Sequence, residues 1–267
     1  MQESKNSVTV IIPTYGRYDL LIETLTSVYS QKGKFKIKII IIDDNYPEPV
    51  KKVISGLFPQ VQIIRNKKNL KSGPSRNQAL KYLDSEYVAF LDSDDVWDPN
   101  FLEKSVNKLK ITQSDVTVAL SKPIFAKCLS KSFKLKVYLL SLIRDVFQMI
   151  FIYLNCGKMP KGGFYLCQLS HMLFKANKIK GLKFDSNYNH GGEDWKYVLE
   201  VIDRVQNIII VPERLVKYRY HKKNVSLNSE NLLKKWNSYK QLYRELDKRN
   251  INGIMRFLFE IYVSTFQ

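Results

Sequence analysis

Four carboxylates lie within seven positions of the stretch FLDSDDVWDP, from Asp92 to Asp98, directly after the apolar run YVAFL. Such a cluster of like charge repels itself, even in a chain whose formal net charge is +18. Two more carboxylates, Asp43 and Asp44, follow another apolar run, IKIIII. If both runs are strands of one parallel sheet, their carboxyl ends meet at one edge, where such sheets bind ligands. The sequence therefore predicts an acidic crevice at that edge.

A divalent cation would make this crowding of carboxylates favourable. Mg²⁺ and Mn²⁺ prefer oxygen ligands, commonly one or two carboxylates together with the phosphates of a substrate. The acids expected around the crevice are Asp43, Asp44, Asp92, Asp94 and Asp95. The alternative for each is a solvated turn or a helix cap, and Asp98 is assigned as the N-cap of a helix that starts at Pro99.

The elements that would position these acids alternate along the first third of the chain. Apolar runs predict strands at 8–12, 37–42, 61–64 and 87–91, and helical patterns follow each of them, including helices near 49–57 and 74–83. This order predicts an α/β fold with a mostly parallel central sheet and helices on both faces. Further strands are predicted in DVTVAL, QLSHMLF and NIIIVPERLVKYRYH.

Composition limits the class of protein and its partners. The chain has 267 residues, 45% of them hydrophobic, which is enough for a substantial core. Three cysteines without a paired spacing suit a reducing compartment, and the N-terminal sequence does not resemble a signal peptide, so a cytoplasmic protein is expected. The 43 Lys and Arg residues outnumber the 25 Asp and Glu residues, which predicts attraction to phosphate-bearing ligands, nucleic acid or an acidic membrane surface.

The segment 134–154 is strongly apolar and predicts a helix. Arg144, Asp145 and Gln148 interrupt it, so a membrane-spanning helix is not expected. Two interpretations stay open, a core or lid helix and a helix lying in a membrane interface. The segment 229–266 alternates basic and apolar residues at helical spacing and predicts a C-terminal helical extension.

Several segments in order resemble the family-2 glycosyltransferases of the GT-A fold, of the bacterial surface-polysaccharide type. They are PTYGR, IDDN, GPSRNQAL, FLDSDD, GGEDWKYVLEV and KYRYHKKNVS, and they cover roughly residues 7–226. The resemblance implies a Rossmann-like GT-A domain over 1–226, with a nucleotide-sugar half at about 1–120 and an acceptor half at about 121–226. The C-terminal helical extension would then be 227–267.

The resemblance also implies a role for particular residues. Those expected to bind the nucleotide-sugar are Pro13, Thr14, Tyr15, Arg17, Asp43, Asp44, Arg76, Asp92 and Asp95. The ring of Tyr15 would lie beside the base, and Arg76 would face the diphosphate. Asp94, the last acid of the DxD motif, would be the best ligand for Mn²⁺ or Mg²⁺, with His221 as a second ligand.

A second acidic pair, Glu193 and Asp194, opens a predicted helix in GGEDW. In the resembling family this pair lies on the acceptor side, which implies that Asp194 is the catalytic base and Glu193 its neighbour. Direct displacement at an anomeric carbon requires such a base and inverts the configuration. A helix N-terminus lowers the pKa of a carboxylate and nearby carboxylates raise it, and the sequence does not rank the two effects.

Together with these residues, the resemblance implies an inverting glycosyltransferase, a metal-dependent hexosyltransferase. The donor would be a nucleoside-diphosphate sugar, with a UDP-sugar expected, and the acceptor a saccharide or lipid-linked saccharide in O-antigen or capsule synthesis at the inner face of the membrane. One alternative is a sugar-phosphate nucleotidyltransferase, but PTYGR has one glycine where those enzymes use a glycine-rich loop. Another is a basic nucleic-acid-binding module, but the acidic crevice would repel phosphates, so nucleic acid is not expected as a partner.

Overall fold

The computed structural model describes residues 6–154, 168–188 and 191–221, together with residues 241 and 244. The predicted extension at 227–267 lies outside the described residues, apart from those two positions. The domain boundary at residue 226 therefore stays a prediction.

Eight strands of the described residues form one mixed sheet. They are β1 (Ser7–Thr14), β2 (Lys36–Asp43), β3 (Gln62–Arg65), β4 (Tyr87–Phe90), β5 (Val96–Trp97), β6 (Val116–Phe125), β7 (Met172–Lys175) and β8 (Ile208–Tyr220). Their order across the sheet is β3-β2-β1-β4-β7-β6-β8-β5. The pairs β1–β2, β1–β4, β2–β3 and β6–β8 are parallel, whereas β7 and β5 pair antiparallel with their neighbours. The parallel half thus holds the four strands predicted first, which are confirmed.

Helices cover both faces of the sheet. They are α1 (Tyr18–Tyr29), α2 (Val50–Ile54), α3 (Ser72–Leu80), α4 (Phe101–Thr112), α5 (Lys131–Leu154), α6 (Ala176–Ile179) and α7 (Glu193–Ile202). Side chains alternate between the faces along each strand, so Ile11 of β1 packs with α3, α6 and α7, whereas Val10 and Ile12 pack with α1, α2 and α4. Burial on both faces explains why these strands are almost continuously apolar.

Helix α4 begins later than its sequence predicts. The prediction of Asp98 as the N-cap is wrong, because Asn100 occupies that position and the helix starts at Phe101. The carboxylate of Asp98 instead accepts a hydrogen bond from the backbone N–H of Asn100 at 3.0 Å, which forms an Asx turn.

Helix α5 contains the apolar segment predicted to be helical. Over the ranges that the structure describes, no helix combines the length and the apolar character needed to cross a membrane.

Candidate active site

Three carboxylates converge just beyond the carboxyl end of β4. Each of Asp92, Asp94 and Asp95 offers one oxygen atom within 4.8 Å of those of the other two. Asp94 and Asp95 are buried, whereas the side chain of Asp92 is 39% exposed. The backbone N–H of Asp92 donates to the Ser170 hydroxyl at 3.1 Å, which anchors the start of the cluster to the segment before β7. Three of the five acids expected at this edge therefore lie together, whereas Asp43 and Asp44 have other partners.

The short strand β5 brings the end of β8 to this cluster. Its residues Val96 and Trp97 pair with Lys217 and Val216. Two residues further along β8, the backbone N–H of Arg219 donates to Oδ1 of Asp95 at 3.1 Å. Because of this pairing, residues about 125 positions apart in sequence meet at the acids.

His221 lies at the end of the same strand and contacts the cluster directly. Its Nε2 is 2.9 Å from Oδ2 of Asp94. The Arg17 guanidinium binds the same oxygen at 2.7 Å, and its Nη1 is 3.2 Å from His221 Nε2. Arg17 adopts a left-handed backbone conformation, with φ of 57°, just before α1, a conformation that costs a non-glycine residue energy. The residue that places its cation against Asp94 therefore has a strained backbone.

The three acids differ in their electrostatic environment. Burial alone would raise the pKa of Asp94, but the hydrogen bond from His221 and the charge of Arg17 hold it below its usual value. Burial, together with the charges of Asp94 and Asp92, raises the pKa of Asp95 well above its usual value. Oδ2 of Asp95 is buried and has no hydrogen-bond partner among the described residues. An oxygen-rich group with one unsatisfied buried carboxylate oxygen fits the ligand preference of Mg²⁺ or Mn²⁺.

Asp43 lies at the end of β2, beside a cluster of tyrosines. Its Oδ2 accepts from Arg65 at 2.5 Å, whereas its Oδ1 is buried without a hydrogen-bond partner among the described residues. The rings of Tyr15 and Tyr46 meet edge to face, with centroids 5.1 Å apart, and both are partly exposed. Gly16 has a φ of 67°, and a Cβ there would stand 2.9 Å from the Tyr46 ring, so glycine lets the two loops meet. An aromatic wall and a free acceptor therefore lie side by side.

Asp44, next to Asp43, faces a different set of partners. Its Oδ1 accepts from the Asn66 side chain at 2.8 Å and from the Leu70 backbone N–H at 2.7 Å, and its Oδ2 accepts from the Lys71 N–H at 2.8 Å. Lys71 has a φ of 69°, so Asp44 holds the loop before α3 in a strained conformation. Both oxygens of this carboxylate therefore bind groups of the protein itself, whereas the sequence predicts that Asp44 contacts the nucleotide-sugar.

Replacing Asp44 by asparagine is expected to reduce the free energy of unfolding by about 1–3 kcal/mol. The amide would set a donor against the Lys71 N–H, which would keep only its bond to the Asn69 side chain, and it would remove the charge that strengthens the bonds from Asn66 and Leu70. Urea unfolding measures the effect. The matched control is Asp84→Asn, because Asp84 is an exposed carboxylate paired with Lys38 at the surface, and it should change stability by less than about 0.5 kcal/mol. Equal stability of the two variants would contradict the structural role of Asp44.

The second acidic pair opens α7 on the opposite side of the crevice. Glu193 accepts a hydrogen bond from the Ser72 hydroxyl in the first turn of α3. Gly73 leaves room for this approach, since a Cβ there would lie 3.2 Å from Cγ of Glu193, a tight contact. Burial and the charge of Glu193 raise the pKa of Asp194 to about 7, although Arg76 opposes the shift. The effects that raise the pKa of Asp194, burial and neighbouring charge, are thus larger than those that lower it. The sequence alone does not rank them.

Arg76 lies between the two acidic groups. It is 3% exposed, and its Nη2 binds Asp92 at 2.5 Å while its Nη1 is 3.9 Å from Glu193. Its guanidinium also stands 5.3 Å from the centre of the Phe184 ring. The structure thus buries Arg76 as a bridge between carboxylates, whereas the sequence implies a side chain turned to a diphosphate.

Ten of the thirteen site residues expected from the sequence fall into two connected groups. The crevice joins Arg17, Arg76, Asp92, Asp94, Asp95, Glu193, Asp194 and His221, and the tyrosine side joins Tyr15 and Asp43. Pro13 and Thr14 are buried at the end of β1, where the Thr14 hydroxyl donates to the Gly16 carbonyl. Sequence reasoning missed Tyr46, Ser72 and Arg219. The position of Arg219 two residues before His221 in YRYH was an available signal.

The sequence of the chain is similar to those of known glycosyltransferases. Residues 9–169 match the profile of the family described as glycosyl transferase family 2. Among curated relatives, an uncharacterised glycosyltransferase, MJ1057 of Methanocaldococcus jannaschii, is 26% identical over 222 residues, 80% of this chain and 71% of the relative. The Escherichia coli UDP-Glc:alpha-D-GlcNAc-diphosphoundecaprenol beta-1,3-glucosyltransferase WfgD is 28% identical over 102 residues, 38% of this chain and 40% of that protein.

A solved structure matches the fold over almost the whole chain. It is the mannosyltransferase PcManGT from Pyrobaculum calidifontis, in complex with GDP-Man and Mn²⁺. The match has a TM-score of 0.66 at 16% identity and covers 96% of this chain and 69% of that one. At this identity the likeness concerns the fold.

Proposed function

The chain belongs to glycosyl transferase family 2, and from this premise we propose that it is an inverting hexosyltransferase that uses a nucleoside-diphosphate sugar and Mn²⁺ or Mg²⁺. The family and the GT-A fold predicted from the sequence are confirmed. A UDP-sugar is the proposed donor. The proposed acceptor is a saccharide or lipid-linked saccharide of a cell-surface polysaccharide such as O-antigen or capsule, reached at the inner face of the membrane. The observation that carries the proposal is the pairing of a metal-suited acid cluster with a carboxylate whose pKa is about 7.

The acid cluster would hold the donor's diphosphate. Asp94 and His221 are the proposed ligands of the ion, with Asp92 and Asp95 around them, and a bound divalent cation would neutralise charge that develops on the leaving diphosphate. Arg17 is a cation within reach of the same position, so its guanidinium can bind a phosphate oxygen as well as Asp94. Burial of Asp94 strengthens these interactions, because a water-poor site screens charge weakly.

The tyrosine side would hold the nucleoside. The unpartnered Oδ1 of Asp43 can accept a hydrogen bond from a base N–H, and Arg65 fixes the other oxygen so that the carboxylate cannot turn away. The rings of Tyr15 and Tyr46 offer an apolar wall for the base. Uracil presents one N–H between two carbonyl oxygens, which suits a single acceptor of this kind.

Asp194 would activate the acceptor. A carboxylate with a pKa of about 7 is a stronger base than an ordinary aspartate and is still substantially ionised at neutral pH. It would take the proton from the acceptor hydroxyl as that oxygen attacks the anomeric carbon from the face opposite the diphosphate. The bond to the diphosphate oxygen breaks as the new glycosidic bond forms, so one displacement inverts the configuration. Ser72 and Arg76 hold the adjacent Glu193 in place.

Incubation of the purified chain with a panel of nucleotide sugars tests the proposal. A UDP-sugar should release UDP by slow hydrolysis in the presence of Mn²⁺ or Mg²⁺, and EDTA should abolish the release, since the acids would lose their shared cation. Release of inorganic diphosphate from a nucleoside triphosphate and a sugar phosphate would instead identify a nucleotidyltransferase. Metal-independent turnover would contradict the role of the acid cluster.

A further inference from the structure

Helix α5 keeps one apolar face in solvent. Five side chains form what we call the α5 face, and each is between 46% and 59% exposed: Leu135, Tyr138, Leu139, Ile143 and Val146. Their spacing of three to four residues places them on one stripe of the helix. Scattered exposed apolar residues are ordinary, but a continuous stripe of this kind marks an interaction surface. Both interpretations of this segment, a core or lid helix and an interfacial helix, must therefore account for an exposed apolar face.

The opposite face of α5 is fixed to the sheet. Val137, Ser141 and Asp145 are buried, and Asp145 forms an ion pair with Arg214 of β8 at 2.5 Å. Near the start of the helix, the ring of Phe133 meets that of Tyr220, with centroids 6.2 Å apart.

These two contacts fix the direction of the helix. Twelve residues of helix from Phe133 to Asp145 rise about 18 Å, and six residues of strand between Tyr220 and Arg214 span about 20 Å. The helix therefore runs antiparallel along β8, and the α5 face points away from the sheet.

The charged residues in the first two turns of α5 are all cationic. Residues 116–144 contain six cationic side chains and no Asp or Glu, and three of the six are Lys131, Lys134 and Lys136 in the first two turns of α5. An apolar stripe bordered by lysines is suited to the boundary between anionic headgroups and acyl chains. A soluble partner protein would need both an apolar groove and an acidic rim, whereas an anionic bilayer supplies both layers together.

We propose that the α5 face docks on a bilayer that contains anionic lipid, with its lysines against the headgroups and its apolar stripe at the acyl boundary. The placement also serves the reaction, because Tyr220, which contacts Phe133 of α5, directly precedes His221 of the acid cluster. The crevice would then lie beside the membrane surface. The inference deepens the proposed function, on which it rests for the idea that the acceptor is lipid-linked.

Vesicle sedimentation tests the docking surface. The full chain should bind vesicles of phosphatidylcholine mixed with phosphatidylglycerol, bind those of phosphatidylcholine alone weakly, and lose binding as salt rises. The double variant Leu139→Gln with Ile143→Gln should bind at least about tenfold more weakly, since neither side chain would then leave water favourably. The matched control is Ile111→Gln on α4, because Ile111 is 81% exposed and lies outside the stripe. This control should bind like the unchanged chain.

Other occupants of the α5 face give other results. A clear drop in the thermal midpoint of the double variant would mean that the chain's own residues cover the face, and it would overturn the proposal. A dimer that the double variant abolishes would assign the face to a second copy and also overturn it. UDP release without vesicles should be equal in the double variant and the unchanged chain. Normal release without vesicle binding defeats the docking inference alone, whereas vesicle binding without release from any donor defeats the proposed function and leaves the membrane surface standing.

Discussion

Replacing Asp194 by asparagine is expected to lower kcat by about 10²–10⁴-fold, the usual contribution of a positioned general base. The change is nearly isosteric, so affinity for donor and metal should persist, and the loss should appear in kcat more than in KM. Burial and Glu193 raise the pKa of Asp194 to about 7. Because the base must be ionised, kcat of the unchanged enzyme should rise with pH through about 7 and then level off.

Steady-state kinetics over a range of pH provide the measurement. The residual activity of Asp194→Asn should lack the rise near pH 7, since the titrating group is gone. Glu200→Gln is the matched control, because Glu200 lies on the same helix and pairs with Lys196 one turn away. It should retain the activity and the pH profile. Near-normal turnover of Asp194→Asn would reduce Asp194 to a helix-end residue and make Glu193 or Asp95 the next candidate.

Replacing Asp94 by alanine is expected to abolish metal-dependent binding of the nucleoside diphosphate. Mutation of a residue that only hydrogen-bonds to a metal ligand typically lowers metal affinity by about 10–100-fold. Loss of a ligand itself should therefore lower it by at least about 100-fold. Asp94 also organises Arg17 and His221, both of which bind its Oδ2. Its removal therefore withdraws a proposed metal ligand and leaves two neighbouring groups without their shared acceptor.

Titration calorimetry with UDP, with and without Mn²⁺, measures this effect. Asp84→Ala removes a carboxylate at the surface and should leave UDP binding unchanged. Thermal unfolding of Asp94→Ala should remain cooperative, because the hydrophobic clusters on both faces of the sheet do not include this side chain. Equal binding of Mn²⁺ and UDP by Asp94→Ala and the unchanged chain would refute the assignment of the metal site.

The sequence predicts the first half of the fold well, because parallel strands buried on both faces are nearly continuous apolar runs. The strands β1 to β4 are therefore visible, and the polar residues that end them mark the edge of the site. Strand β5 has only two residues, too few for any periodic pattern. It forms because β8 extends far enough to pair with it, which is a tertiary effect.

The roles of adjacent identical residues were not predictable. Asp43 and Asp44 are chemically the same, but one oxygen of Asp43 has no hydrogen-bond partner among the described residues, while both oxygens of Asp44 bind the loop before α3. The path of that loop decides the difference. Similarly, helical spacing predicts α5, but which side of it meets the sheet follows from the contact between Asp145 and Arg214.

The buried guanidinium of Arg76 has a thermodynamic consequence. One cation serves Asp92 on the proposed donor side and Glu193 on the acceptor side, and its Nη1 and Nε have no hydrogen-bond partner among the described residues. A ligand that draws this cation toward one side weakens its hold on the other. The two substrates would then share a coupling free energy, and by linkage each must change the affinity of the other by the same factor. The proposed donor and acceptor sites would then behave as one heterotropic unit.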